Sequence, residues 1–336
     1  MSNIKDVAKA AGVSTSTVSR TINNSSSISK ETKDRIFSII KEMNYSPNSI
    51  AKALTNSKSY TVTLLVDVED EKSFQNPFFY EIMHGIEKLV YHKEFSLIVA
   101  NLNTTLKKQS VLEWLVKGKR TEGVILPSSI LTSAIVEELK RDHVPFVSIG
   151  ETTQLKESVS WVDVDNKKGA EIATYELLDK GYKNIAFLGY DHTKNFSNRR
   201  YEGYSNALTS SGIAVVPDLV IECGNTKDEG YTQMKKLLNE KNVPDAVICA
   251  DNILSIGAIK AIQEAGLVIP ENIGLISFDN QQIAELSYPT ITTVHVDLYE
   301  MGYQAAKLLF EMIEDPETRD QGLLISTSLE NRQTTK

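Results

Sequence analysis

Apolar positions in the first sixty residues recur at helical spacing. Ile4, Val7, Ala8 and Ala11 follow the i, i+3, i+4, i+7 stripe of a short amphipathic helix. Gly12 is placed to end that helix in the left-handed conformation. Ser14 is placed to cap a second helix with Val18 and Ile22 facing inward, and Ser29 to cap a third carrying Ile36, Ile39, Ile40 and Met43. The short glycine-containing turn between the first two helices has helix-turn-helix spacing. Val7, Ala8, Val18, Ile22, Ile36 and Ile40 are the expected minimal core.

Beyond residue 60 the pattern changes to short β-branched or apolar runs separated by helical periods. Thr61–Val66, Phe95–Ala100, Val124–Leu126, Phe146–Ile149, Ile185–Leu188, Ala246–Cys249 and Leu275–Phe278 are predicted buried parallel strands. Tyr80–Tyr91, Leu106–Val116, Gly169–Leu178 and Ser255–Ala265 are predicted helices between them. Such alternation makes an α/β, doubly wound core, which binds ligands beyond the carboxyl ends of its strands.

Charge sharpens this division. The chain carries a net −8, yet residues 1–60 alone carry +5 and the remainder −13. A basic head on an acidic body concentrates phosphate attraction at one end, although a chance cluster of solvated helix faces would look the same. No apolar run reaches the roughly 18 residues of a membrane span, and the polar start, Met1 to Lys9, has no export-signal pattern. A cytoplasmic protein without membrane contact is expected. Cys223 and Cys249 lack a CxxC or neighbouring histidines and are expected as reduced, buried apolar residues. Catalytic motifs are missing: there is no GxSxG, no HExxH, and the Gly118 to Gly123 spacing lacks the Lys-Ser/Thr of a phosphate loop. Neither an enzyme nor a cofactor or metal site is expected. Asp163-Val164-Asp165-Asn166 lacks the glycine of a calcium loop, since Lys168 stands in its place, and fits strand-end and helix-cap roles.

The exposed face of the second helix reads Thr15, Ser16, Thr17, Ser19 and Arg20. In a major groove Arg20 would donate to guanine O6 and N7, and the hydroxyls would reach phosphates or base edges; a polar solvent face is the alternative. Ile4-Lys5-Asp6-Val7-Ala8, Gly12-Val13-Ser14, Ser16 to Arg20, Asn23-Asn24, Asn44-Tyr45, Pro47-Asn48 and Ala51 to Leu54 together closely resemble the head of lactose-repressor family regulators. The resemblance implies operator DNA as partner, with Thr15, Ser16 and Arg20 at base-reading positions. Lys5, Thr17, Ser19, Asn23, Tyr45 and Asn48 complete the implied DNA surface. Residues 49–57 match the family's hinge helix, with Ala51 inside it and Leu54 at the position of a leucine wedged between bases, as an apolar minor-groove wedge would act. For Leu54 alone, a linker residue packing on the core is the alternative.

The remainder resembles the two-lobed periplasmic-binding-protein-like core of the same regulators. This organisation gives a helix-turn-helix domain at 1–48, a hinge and linker at 49–60 and a core at 61–336. Crossings near Val162, Thr290 and Gln321 would divide the core into one lobe of 61–161 with 291–320 and another of 162–290 with 321–336. Phe74 to Phe79, Val147 to Gly150, Val162 to Asn166 and Ile276 to Asn280 are most similar to the maltose-operon repressor branch. The implied partners are a small effector, a sugar of the maltose type, and a second copy in a homodimer, since no leucine heptads follow the core.

Arg200, in Arg200-Tyr201-Glu202-Gly203-Tyr204, matches the family's cleft arginine, and a guanidinium suits a hydroxyl pair or carboxylate; a surface arginine is the alternative, with Arg199 adjacent. Asp279 follows a strand where the family's cleft carboxylate sits, with a helix N-cap as the alternative, and Asp251 ends another strand at the cleft edge. Phe78 or Phe79 would stack on a sugar ring while the other packs in the core. Gly150 replaces the sugar-binding aspartate of lactose-type members, Glu151 stands where a basic residue is expected, and Asn225 where some sugar binders have an aromatic. A carbon-catabolite regulator using a phosphoprotein corepressor is the rival reading. Tyr299-Glu300-Met301-Gly302 is similar to that group's motif, but Lys307 stands in place of its arginine.

Overall fold

The computed structural model describes residues 3–22, 24–45, 58–67, 77–106, 109–152, 155 and 159–336. Contacts divide the chain between Tyr60 and Thr61. The first unit contains helices α1 (Ile4–Ala11), α2 (Thr15–Ile22) and α3 (Lys30–Glu42). Asn3 caps α1 by accepting from the Lys5 and Asp6 amides, and Asp6 accepts in return from the Asn3 amide at 2.9 Å. This reciprocal cap satisfies amides that no helical carbonyl reaches. Gly12 ends α1 with φ 64°, and the Ser14 hydroxyl opens α2 by accepting from the Thr17 amide at 3.1 Å. Val7, Ala8, Ala11, Val18 and Ile36 form the small core, with Ile22, Ile40 and Tyr45 packed at its edge.

The second unit begins with β1 (Thr61–Val66), α4 (Pro77–His92), β2 (Ser96–Asn101), the hairpin β3 (Thr105–Leu106) and β4 (Gln109–Ser110), and α5 (Val111–Lys117). It continues through β5 (Gly123–Pro127), α6 (Ser133–Arg141), β6 (Phe146–Ile149) and β7 (Ser160–Val164). The chain then enters a second lobe with α7 (Asn166–Asp179), β8 (Ile185–Tyr190), α8 (Asn195–Ser210), β9 (Val220–Glu222) and α9 (Lys227–Leu237). That lobe adds β10 (Ala246–Cys249), α10 (Asn252–Glu264), β11 (Gly274–Phe278), α11 (Gln282–Leu286) and β12 (Thr292–His295). The chain returns for α12 (Leu298–Glu314) and β13 (Gly322–Ile325), and crosses once more to β14 (Ser328–Glu330).

Each lobe is a six-stranded sheet, ordered β13-β7-β6-β5-β1-β2 in the first and β14-β12-β11-β10-β8-β9 in the second. Among the described residues, all pairings within these two sheets are parallel except β14 on β12. Helices cover both faces: α4 and α12 pack on one face of the first sheet, α5 and α6 on the other. In the second lobe α9 and α10 oppose α7 and α8. Burial on both faces is why these strands read as continuous apolar runs. Cys223 and Cys249 are free thiols in the second lobe's core cluster.

Four expectations need correction. The crossings expected near Val162, Thr290 and Gln321 occur instead after Val164, after His295 and between Ile325 and Ser328. Each strand completes its pairing before the chain leaves the sheet: Val162–Val164 pair with Leu323–Ile325, and Thr292–Val294 with Ile276–Phe278. Hence 162–164 and 322–325 belong to the first lobe and 292–295 to the second. The helix expected from Leu106 begins at Val111, because the Ser110 hydroxyl caps the Glu113 amide at 3.0 Å after a hairpin.

Candidate functional site

The head presents one polar helix face. On α2, Thr15, Ser16 and Arg20 are exposed, Thr17 and Ser19 are half-buried, and Val18 and Thr21 are buried. Thr21 takes an inward place not anticipated from the sequence. The Ser16 and Thr17 hydroxyls lie 2.7 and 2.9 Å from the Ser14 hydroxyl, so the cap pre-orients them. Lys5 is exposed on α1. Tyr45 is half-buried against the head's core, which gives its ring a packing role besides any DNA contact. Asn23, Asn48, Ala51 and Leu54 lie outside the described residues, as does the hinge at 49–57.

The core's polar residues converge on Arg200 at the carboxyl ends of the second lobe's strands. Arg200, on α8, is only 4% exposed. Its Nε donates to Asn166 Oδ1 at 2.8 Å and its Nη1 to the Ala250 carbonyl at 2.6 Å. Its guanidinium lies 3.9 Å from the Phe278 ring centroid and 5.2 Å from that of Phe196. Nη2 stands 3.8 Å from Asp279 Oδ1, an ion-pair distance but too long for a hydrogen bond. Arg200 is thus a buried anchor of α7, α8, β10 and β11 together, neither a surface residue nor a freely offered ligand hook. Gly203 lets α8 approach α7 this closely, since a Cβ there would strike the Lys167 carbonyl.

Asp279 follows β11 in a left-handed conformation, φ 69°. It does not cap a helix. Its buried Oδ1 has no hydrogen-bond partner, and neither does the buried Oδ1 of Asn252, whose amide donates to the Asp279 carbonyl. Burial pushes the Asp279 carboxyl up to about 6; Arg200 opposes this, while Asp251 and Glu81 add to it. Asp251 caps α10 by accepting from the Leu254 amide at 2.8 Å, and burial raises its carboxyl despite that bond. Phe78 and Phe79, both half-buried, pack against the first-lobe core at the start of α4.

Several site residues were missed in the sequence. Asn166, Phe196 and Asn252 belong to the Arg200 cluster. Asp163 is buried, accepting from the Glu151 and Val164 amides at 2.9 and 2.7 Å. Glu151 is not an anomaly: its carboxylate takes Arg199 in a bidentate grip, with Nε–Oε2 2.8 Å and Nη2–Oε1 2.6 Å. The adjacent arginine pair, with one charged partner needed for each, was the available signal.

The profile of the lacI family of bacterial regulatory proteins matches residues 3–48, and that of the periplasmic binding protein-like domain matches 174–335. The chain is 33% identical to the HTH-type transcriptional repressor PurR of Histophilus somni (strain 129Pt) over 317 residues, which are 94% of this chain and 93% of that protein. PurR of Pasteurella multocida (strain Pm70) is 33% identical over the same shares. Among solved structures, the transcriptional regulator CelR–cellobiose complex is 29% identical with a TM-score of 0.73, covering 99% of this chain and 100% of that one. The lac repressor dimer bound to operator and the anti-inducer ONPF shares the fold at 23% identity and a TM-score of 0.79, covering 99% of each chain.

Proposed function

This chain belongs to the lacI family of bacterial regulatory proteins, transcription regulators rather than enzymes, and we propose that it is a cytoplasmic homodimeric repressor whose operator affinity is set by a neutral sugar of the maltose-oligosaccharide type. Operator bases are read by Thr15, Ser16 and Arg20. Lys5, Thr17, Ser19, Asn23, Tyr45 and Asn48 hold the DNA backbone, and Ala51 and Leu54 act from the hinge at the operator centre. A family dimer places one head on each half-site of a pseudopalindrome. Among the described residues, no helix is long and apolar enough to cross a membrane.

The observation that carries the sugar reading is the pair of buried acceptors without donors, Asp279 Oδ1 and Asn252 Oδ1. Buried acceptors left unpaired are costly, and a ligand rich in hydroxyl donors would relieve them. Phe196 is 40% exposed against Arg200 and offers an apolar face to a pyranose, a role that Phe78 or Phe79 shares from the first lobe. Asp251 adds charge to the same cluster. A purine base, the competing ligand class, needs donors for its carbonyl and ring nitrogens. Two of Arg200's nitrogens are already committed to Asn166 and Ala250. The sugar binds in this way to the closed lobes and shifts the protein between states of different operator affinity, to the extent that its affinity for them differs.

The test is titration of the purified protein with maltose-series sugars, cellobiose, hypoxanthine and guanine, read by calorimetry and by Trp114 and Trp161 fluorescence. Saturable binding of a sugar supports the reading. Binding of a purine base with no sugar response overturns it, and response only to a phosphoprotein would favour the catabolite-regulator reading.

A further inference from the structure

A charged contact joins the two lobes beside the Arg200 cluster. Glu151 follows β6 of the first lobe. Gly150 before it has φ 100°, and a Cβ there would collide with the Ser128 hydroxyl, so only glycine admits this turn. The Glu151 amide is then pinned by Asp163 Oδ2 at 2.9 Å. Turned this way, the carboxylate reaches α8 of the second lobe. There it accepts both Arg199 bonds and one from Asn195 Nδ2 at 3.1 Å. Arg199 is braced in turn by Glu202 at 3.2 Å, and Glu202 by Lys167 at 2.6 Å, all within the second lobe. The Glu151 side chain is 15% exposed, so the pair is shielded from water on the carboxylate side. Arg199 holds the Glu151 carboxyl below its ordinary range, against burial.

We propose that Glu151 and Arg199 form an interlobe clasp that favours the closed arrangement of the core. The arrangement fits this role better than a static brace. Among the described residues, the other charged partner of Arg199, Glu202, and that of Lys167 lie in the second lobe, so the bidentate Glu151–Arg199 contact carries the charge link across the cleft. Bidentate guanidinium–carboxylate pairs impose geometry as well as attraction, and so favour one lobe angle over others. Opening the cleft separates the pair and exposes both charges to water, which lowers the cost of opening and makes the clasp releasable. A ligand that binds the closed lobes therefore meets an arrangement the protein already favours, which lowers the cost of closing around it.

The experiment uses the full-length protein without any effector, so its outcome is independent of the sugar reading. Spin labels at the exposed positions Lys140 and Glu240, one on each lobe, report the interlobe distance by pulsed dipolar spectroscopy, with unlabelled protein added to dilute intersubunit pairs. Glu151→Gln, Arg199→Gln and the double variant are compared with Glu202→Gln, which leaves the Glu151–Arg199 bonds in place. The clasp requires each single variant and the double to raise the population of longer distances by the same factor, about tenfold in the open-to-closed ratio. Glu202→Gln is expected to stay near the parent distribution, and circular dichroism confirms folding of each variant. Unchanged distances in all three clasp variants would overturn the proposal. So would additive shifts, which would mean that Glu151 and Arg199 act through separate contacts.

Discussion

Replacing Asp279 with asparagine should stabilise the ligand-free core at neutral pH. The carboxylate lies buried with one oxygen unbonded, and its nearest cation is 3.8 Å away. Its folded-state pKa is about 6, against an ordinary 3.8. A carboxyl raised in the folded state is destabilising when ionised: the folded form binds the proton more tightly than the unfolded chain does. The cost is fully present above pH 6, shrinks as pH falls through the interval between the two values, and vanishes below the lower one. By linkage the cost is on the order of 3 kcal/mol at pH 7.5, roughly half that at pH 5, and only some tenths at pH 4. Asparagine keeps the shape and removes the charge, so Asp279→Asn should gain up to that amount at pH 7.5 and little at pH 4. It should also lose effector affinity, a trade of stability for function that binding sites commonly show. Urea unfolding of parent and variant at the three pH values reads the difference. A variant less stable than the parent at pH 7.5, or a gain independent of pH, would refute the reasoning.

Further expectations concern single contacts. Arg20→Ala should weaken operator binding by about 1–3 kcal/mol and relax one base-pair position per half-site, whereas Lys5→Ala should weaken all DNA alike; competition gel shifts with operator and random duplexes separate them. Arg200→Ala should destabilise the core by about 3–5 kcal/mol, because it leaves Asp279 as an uncompensated buried charge; a fall in thermal midpoint that accompanies Asp279→Asn rescue checks this. Tyr288, 86% exposed, lines a groove of about 470 Å³ with Leu267, Val268, Ile269 and Pro289. Tyr288→Asp should convert a dimer to a monomer in sedimentation velocity if this apolar surface is the dimer contact.

Much of the fold was legible because the core strands are buried on both faces. Thr61–Val66, Phe146–Ile149 and Ala246–Cys249 stand in the structure where their apolar runs begin and end. The strands that sequence patterning missed lack such runs. In β7 the buried Asp163 interrupts the pattern, and β13 is an edge strand with Leu323 and Leu324 partly exposed. The long α12 was not predicted although its buried Leu298, Met301, Ala305, Leu308 and Leu309 recur at helical spacing. At the site, Arg200 and Asp279 were recognisable from their neighbours in sequence. What they touch was not, since Asn166, Ala250 and Phe278 come from three other parts of the chain. Glu151 looked misplaced for the same reason: its partner lies 48 positions away.

The central claim is that a sugar held at Asp279, Asn252 and Phe196 controls operator binding. The most direct measurement is the operator dissociation constant of the full-length protein, by fluorescence anisotropy at fixed salt, with and without each maltose-series sugar and each purine base. A sugar should shift it by about 5–150-fold, corresponding to 1–3 kcal/mol of coupling, and purine bases should leave it unchanged. Phe196→Ala, which removes the apolar face without touching the buried charges, should abolish that shift while the sugar-free constant stays at the parent value. A constant that no sugar moves, or that a purine base alone moves, would contradict the account.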